Sequence, residues 1–107
     1  MASNNIATLK ISKASSGSSL TISLEGRLDT TTAPQLEAEI KGGLDGVTEL
    51  VFDMAGVEFV SSAGLRVFLL AQKAMKKQGS MKIRNLIPSV LNVFDVTGFS
   101  RILTIEK

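Results

Sequence analysis

The chain has no cysteine, histidine, tryptophan or tyrosine, and its only aromatics are five phenylalanines. Without imidazole or thiol, the usual zinc sites, thiol catalysis and every triad that needs histidine are excluded. No disulfide can staple the fold, which fits a reducing compartment. No Gly-x-Gly-x-x-Gly follows a strand, and no phosphate-binding Gly-x-x-x-x-Gly-Lys-Ser/Thr loop is present. Nor does any uncharged apolar run approach the roughly 20 residues that span a bilayer. The first residues, Met1-Ala2-Ser3-Asn4-Asn5, lack the cationic flank and apolar block of a secretory signal. The expected location is therefore the cytoplasm, without membrane insertion.

What is present is a chain of 107 residues, 44% of them apolar, suited to one domain over residues 1–107 with an aliphatic core. The net charge of +2 conceals an asymmetry. Residues 1–60 hold four Lys/Arg against eight Asp/Glu, whereas residues 61–107 hold eight against two. No aromatic is interleaved with the later cations to stack on bases, so nucleic-acid binding is not expected.

Taken in order, Ile6 to Ile11 reads as a short edge strand, and Ser15-Ser16-Gly17-Ser18-Ser19 as a hairpin loop. Leu20, Ile22 and Leu24 alternate with polar residues in a second strand that Gly26 ends. Thr32 and Gln35 have capping-box spacing and Pro34 suits a first turn, so a helix should begin between Thr31 and Pro34. Leu36 and Ile40 form its apolar stripe. Gly42-Gly43 should stop it, leaving Leu44 as a contact beyond the helix.

Val47 to Phe52 reads as a central strand covered on both faces. Asp53-Met54-Ala55-Gly56 should then turn the chain, with Val57 to Val60 tucking back toward the core. From Ser62 or Ala63 to about Gln78 the composition is strongly helix-forming, and Gly79 caps the end. Met81, Ile83 and Asn85 begin another strand. Pro88 opens a short helix with Val90, Leu91 and Phe94 facing inward, and Thr97-Gly98 ends it. Ile102, Leu103 and Ile105 form a last strand. The order β-β-α-β-α-β-α-β predicts an α/β fold: a mixed, mainly parallel sheet with an N-terminal antiparallel hairpin and about three helices.

Candidate chemistry is sparse. Asp53 and Glu58 could in principle act as a carboxylate pair, but nothing in the sequence makes them converge, so no enzymatic turnover is expected. The remaining feature is the hydroxyl pair Ser61-Ser62 at the start of the long helix. Such a serine can cap the helix. It can also accept a phosphoryl group, which the helix dipole tolerates.

Three stretches carry a resemblance. They are Gly26-Arg27-Leu28-Asp29 with Thr32-Ala33, then Val51-Phe52-Asp53 with Val57-Glu58-Phe59-Val60-Ser61-Ser62-Ala63-Gly64-Leu65, and finally Pro88-Ser89-Val90 with Phe94-Asp95-Val96-Thr97-Gly98-Phe99. In this order they resemble the STAS domain of bacterial anti-sigma factor antagonists, over nearly the whole chain. The resemblance implies the STAS fold and a phosphoacceptor two residues before Gly64-Leu65, namely Ser62, with Ser61 as the alternative. It implies two partners, an anti-sigma factor with Ser/Thr kinase activity and a PP2C-type phosphatase, and no cofactor. Asp29, Thr30, Ser61, Ala63, Gly64 and Arg66 are implied to lie at the partner surface. The family often has Asp where this chain has Ser61, and a second Ser where it has Ala63. The alternative within the same fold is a non-phosphorylated STAS subunit of a lipid-transport ABC system.

Overall fold

A computed structural model describes residues 9–106. Its elements are β1 (Leu9–Ser16), β2 (Ser19–Leu28), α1 (Ala33–Gly43), β3 (Glu49–Val60), α2 (Ser62–Lys76), β4 (Ser80–Arg84), α3 (Pro88–Val96), a 3-10 turn (Phe99–Arg101) and β5 (Ile105–Glu106). The strands form one sheet in the order β1-β2-β3-β4-β5. The β1–β2 pair is antiparallel and the other three pairs are parallel. This is the expected element order. Each crossover steps one strand in the same direction, and right-handed crossovers of that kind put their helices on a single face.

The core lies between that face and the helices. Phe52 of β3, Phe68 of α2 and Phe94 of α3 are fully buried. The Phe52 and Phe68 rings meet edge to face at 5.0 Å, and the Phe68 and Phe94 rings lie 5.8 Å apart. Burying each such side chain contributes roughly 1.5–3 kcal/mol. The opposite face of the sheet carries Thr21, Ser23, Lys82 and Arg84, all half-buried. The central strand is therefore covered by helices on one side only. Val51, which points away from the helices, is buried within the ladder between Thr21 and Lys82.

Several boundaries differ from the sequence reading, each for a local reason. The first strand runs Leu9–Ser16, and the expected part before residue 9 lies outside the described residues. The serine cluster is mostly strand, because Ser16 pairs with Ser19 across a two-residue turn. Gly26 does not end β2. At φ +109° it sits where the β2–β3 register slips, and the strand continues to Leu28.

The largest correction concerns Asp53 to Gly56. These residues do not turn but remain within a 12-residue β3. Met54 and Val57 are both fully buried, so the sheet keeps the segment. The extra residue is absorbed between the pairs Ser23–Asp53 and Glu25–Gly56, where β3 advances three positions to β2's two. Gly42 and Gly43 stay helical, because the buried Leu44 at the C-cap anchors the end of α1.

Asn85 leaves β4 at φ +62° and donates its amide to Asp53 Oδ1 at 3.1 Å. Leu91 is half-buried, leaving Val90 and Phe94 as the buried stripe of α3. Ile102 is exposed rather than in a strand, because the amides of Ile102 and Leu103 both return to the Phe99 carbonyl and keep the chain wound.

Candidate functional site

The C-terminal ends of β2 and β3 lie side by side, with Leu28 paired to Val60, so the loops leading into α1 and α2 are neighbours. The Ser61 amide donates to the Leu28 carbonyl at 2.9 Å and ties the two loops together. Gly64 is buried in the first turn of α2. A Cβ on it would lie 2.6 Å from Leu28 Cγ and 3.1 Å from the Leu28 carbonyl oxygen. The close approach that this glycine permits is thus to Leu28 of the same chain.

Asp29 organises the loop before α1. Its Oδ1 accepts the Thr31 hydroxyl at 2.7 Å and the backbone amides of Thr31 and Thr32 at 3.0 and 3.2 Å. Oδ2 faces Arg27 Nε at 3.7 Å. The Thr31 hydroxyl, helped by the two amides, holds the Asp29 carboxyl below the usual carboxylate range and outweighs partial desolvation. Thr32 is buried and does not form the expected capping box. Its hydroxyl donates to the Arg27 carbonyl at 2.8 Å and accepts the Asp29 amide at 2.9 Å. Gln35 instead reaches the Leu9 carbonyl at 3.0 Å. Thr30, next in the loop, is exposed.

The two serines separate cleanly. Ser61 is the N-cap residue of α2 by backbone geometry, yet its side chain makes no cap bond. Its Oγ is buried and finds no hydrogen-bond partner among the described residues. Ser62, the first helical residue, is exposed. Only Ser62 therefore presents its side chain to an incoming molecule at a helix end that favours negative charge.

A groove of about 430 Å3 runs between α1 and α2, lined on the α2 side from Ala63 onward. Its lining includes the apolar Ala33, Pro34, Ala63, Val67, Leu69 and Leu70, together with Thr30 and the charged Glu37, Arg66 and Lys73. The structure thus gathers Thr30, Ala63 and Arg66 around one depression. Asp29 stands behind Thr30 as the loop's organiser, and Gly64 lies beneath the surface. The sequence reading missed the apolar walls. The signal was available in Leu69 and Leu70, whose doubled leucines widen the apolar face of α2 beyond what one buried stripe needs.

Asp53 and Glu58 do not form a working pair. The Asp53 carboxylate accepts Asn85 and the Ala55 amide and faces Arg84 at 3.8 Å, and Glu58 is exposed. Asn85 above all, then the Ala55 amide and the Arg84 charge, hold the Asp53 carboxyl below its ordinary value against desolvation. Among the described residues, no three His, Cys, Asp or Glu side chains cluster as a metal site, and no helix is long and apolar enough to cross a membrane.

Comparison with known proteins gives a consistent result. The family model described as "Mlab, STAS domain" matches residues 11–104. BtrV of Bordetella bronchiseptica, named as an anti-sigma factor antagonist, is 37% identical over 86 residues, which cover 78% of this chain and 74% of BtrV. The anti-sigma-B factor antagonist of Bacillus subtilis is 31% identical over 86 residues, 79% of each chain. The crystal structure of an anti-sigma factor antagonist from Mycobacterium paratuberculosis superposes with a TM-score of 0.82 at 23% identity, covering 91% of this chain and 84% of that one, and shares the fold.

Proposed function

From the premise that this chain belongs to the STAS domain family and is by homology an anti-sigma factor antagonist, we propose that it is a phospho-switched binding module. Unmodified, it docks on an anti-sigma factor that is also a serine kinase, and so frees the sigma factor. The docking surface is the α1–α2 groove with its rim of Thr30, Ala63 and Arg66. The kinase moves the γ-phosphoryl of ATP to Ser62: an Oγ–P bond forms, the bond to the ADP oxygen breaks, and the hydroxyl proton leaves to a base or to water. A PP2C-type phosphatase hydrolyses the ester and restores the hydroxyl. The chain has no turnover of its own in this scheme, needs no cofactor, and works in the cytoplasm where sigma factors act.

The observation that supports this most is the contrast between the two hydroxyls. Ser62 is exposed and its neighbour Ala63 lines the groove, whereas the Ser61 Oγ is sealed. Phosphorylation adds about −1.5 to −2 charges. At the first turn of α2 the dipole and free amides accommodate that charge, so the fold persists while the surface becomes repulsive to an anionic partner. Incubation with ATP and the anti-sigma kinase tests the assignment. One phosphate is expected, lost in Ser62→Ala and retained in Ser61→Ala. Label that survives Ser62→Ala and disappears in Ser61→Ala would reverse the roles of the two serines.

A further inference from the structure

Arg66 stands one turn after Ser62 on α2, at the i, i+4 spacing that brings side chains on a helix together. Both residues are exposed. Several other cations are engaged: Arg27 faces Asp29, Arg84 faces Asp53, and Lys41 pairs with Glu37 at 3.0 Å. Arg66, among the described residues, makes no hydrogen bond or ion pair and lines the groove beside Ala63. Glu37 of α1 and Lys73 of α2 are the other charged residues of that lining. Glu37 already has Lys41, and Lys73 lies two turns beyond Arg66, too far along the helix to reach Ser62.

We propose that Arg66 reads the modification state of Ser62. While Ser62 carries a hydroxyl, the Arg66 guanidinium is free to meet an acidic group of the docked protein. Once Ser62 is phosphorylated, the guanidinium turns back one helical turn and pairs with the phosphate. An anion placed N-terminal to a cation at this spacing is the favourable order, and a guanidinium matches phosphate oxygens in a two-point contact. Phosphorylation then acts twice at the groove, adding an anion and withdrawing the cation a partner would use. The inference rests on the reading of Ser62 as the phosphoacceptor.

Its test needs neither kinase nor partner. Phosphoserine is installed at position 62 of the full chain by codon reassignment, and the phosphate is titrated by phosphorus NMR. The phosphate's second ionisation should lie about 0.3 pH units higher in Arg66→Gln than in the chain with Arg66. It should be unchanged in Lys73→Gln, and phosphorylation should move the Arg66 Nε–H resonance. Superimposable titrations with and without Arg66, together with an unmoved Nε–H resonance, would overturn the pairing. A chain that shows the pairing yet is never labelled at Ser62 by an anti-sigma kinase would sink the switching role and leave the pairing intact.

Discussion

Leu28 fills the space that a Cβ on Gly64 would need, and both residues are buried. The contact fastens the first turn of α2 to the end of β2 and so sets the height of Ser62 above the sheet. Gly64→Ala would force Leu28 or the helix to shift, at an overpacking cost of about 1–3 kcal/mol. Part of this is offset by the better helix propensity of alanine, roughly 1 kcal/mol. Urea unfolding should show a net loss of about 0–2 kcal/mol, and a variant more stable than the parent chain would show that α2 does not depend on this approach.

Ser61 should behave unlike an ordinary N-cap. Replacing a capping serine by alanine typically costs about 1 kcal/mol. Here the hydroxyl makes no cap bond and its Oγ is buried without a partner. Ser61→Ala is therefore expected to leave unfolding stability unchanged or to raise it by up to about 1–3 kcal/mol, since the deleted hydroxyl makes no hydrogen bond to offset its burial. A loss of 1 kcal/mol or more would show that Ser61 does cap α2 in solution.

Thr32 should be the sensitive hydroxyl. Its Oγ1 links the Arg27 carbonyl to the Asp29 amide at 2.8 and 2.9 Å from a buried position. Thr32→Val keeps the shape but leaves both backbone groups unpaired, for an expected loss of about 1–3 kcal/mol. Thr32→Ser, which retains the hydroxyl, should recover most of it in the same denaturation measurement.

Acid stability follows from Asp29 and Asp53. Both carboxyls lie below the ordinary value of 3.8 in the folded chain. The unfolded chain therefore binds protons first on acidification. The stability these groups supply is fully present above that value and is lost as the pH falls through their depressed folded values. Asp53→Asn should flatten the decline of unfolding free energy below pH 4 relative to the unmodified chain. An equally steep decline would place the acid sensitivity elsewhere.

The element order was legible because two of the helices carry their own punctuation: Pro34 and Pro88 at the starts of α1 and α3, and Thr97-Gly98 at the end of α3. The strand pattern of Leu20, Ile22 and Leu24 was equally direct. Local signals failed where pairing across the sheet decided the outcome. Asp53-Met54-Ala55-Gly56 has turn composition, but burial of Met54 and Val57 holds it in β3 through a register slip. Thr32 has capping-box spacing, yet Arg27 and Asp29 capture its hydroxyl first. At the site, the family resemblance implied Ser62 but left Ser61 open, because burial of a single oxygen depends on how two loops meet. The groove walls were illegible for the same reason, being made by α1 and α2 together.

We propose that the state of Ser62 decides binding while the fold stays the same. Calorimetric titration of the anti-sigma factor into the chain, with and without phosphoserine installed at position 62, tests it most directly. Affinity is expected to fall at least about tenfold on phosphorylation, as like charges meet at the interface, with the thermal midpoint of the free chain nearly unchanged. Equal affinity of the two forms would contradict the account and favour a STAS subunit that binds its partner without phosphorylation.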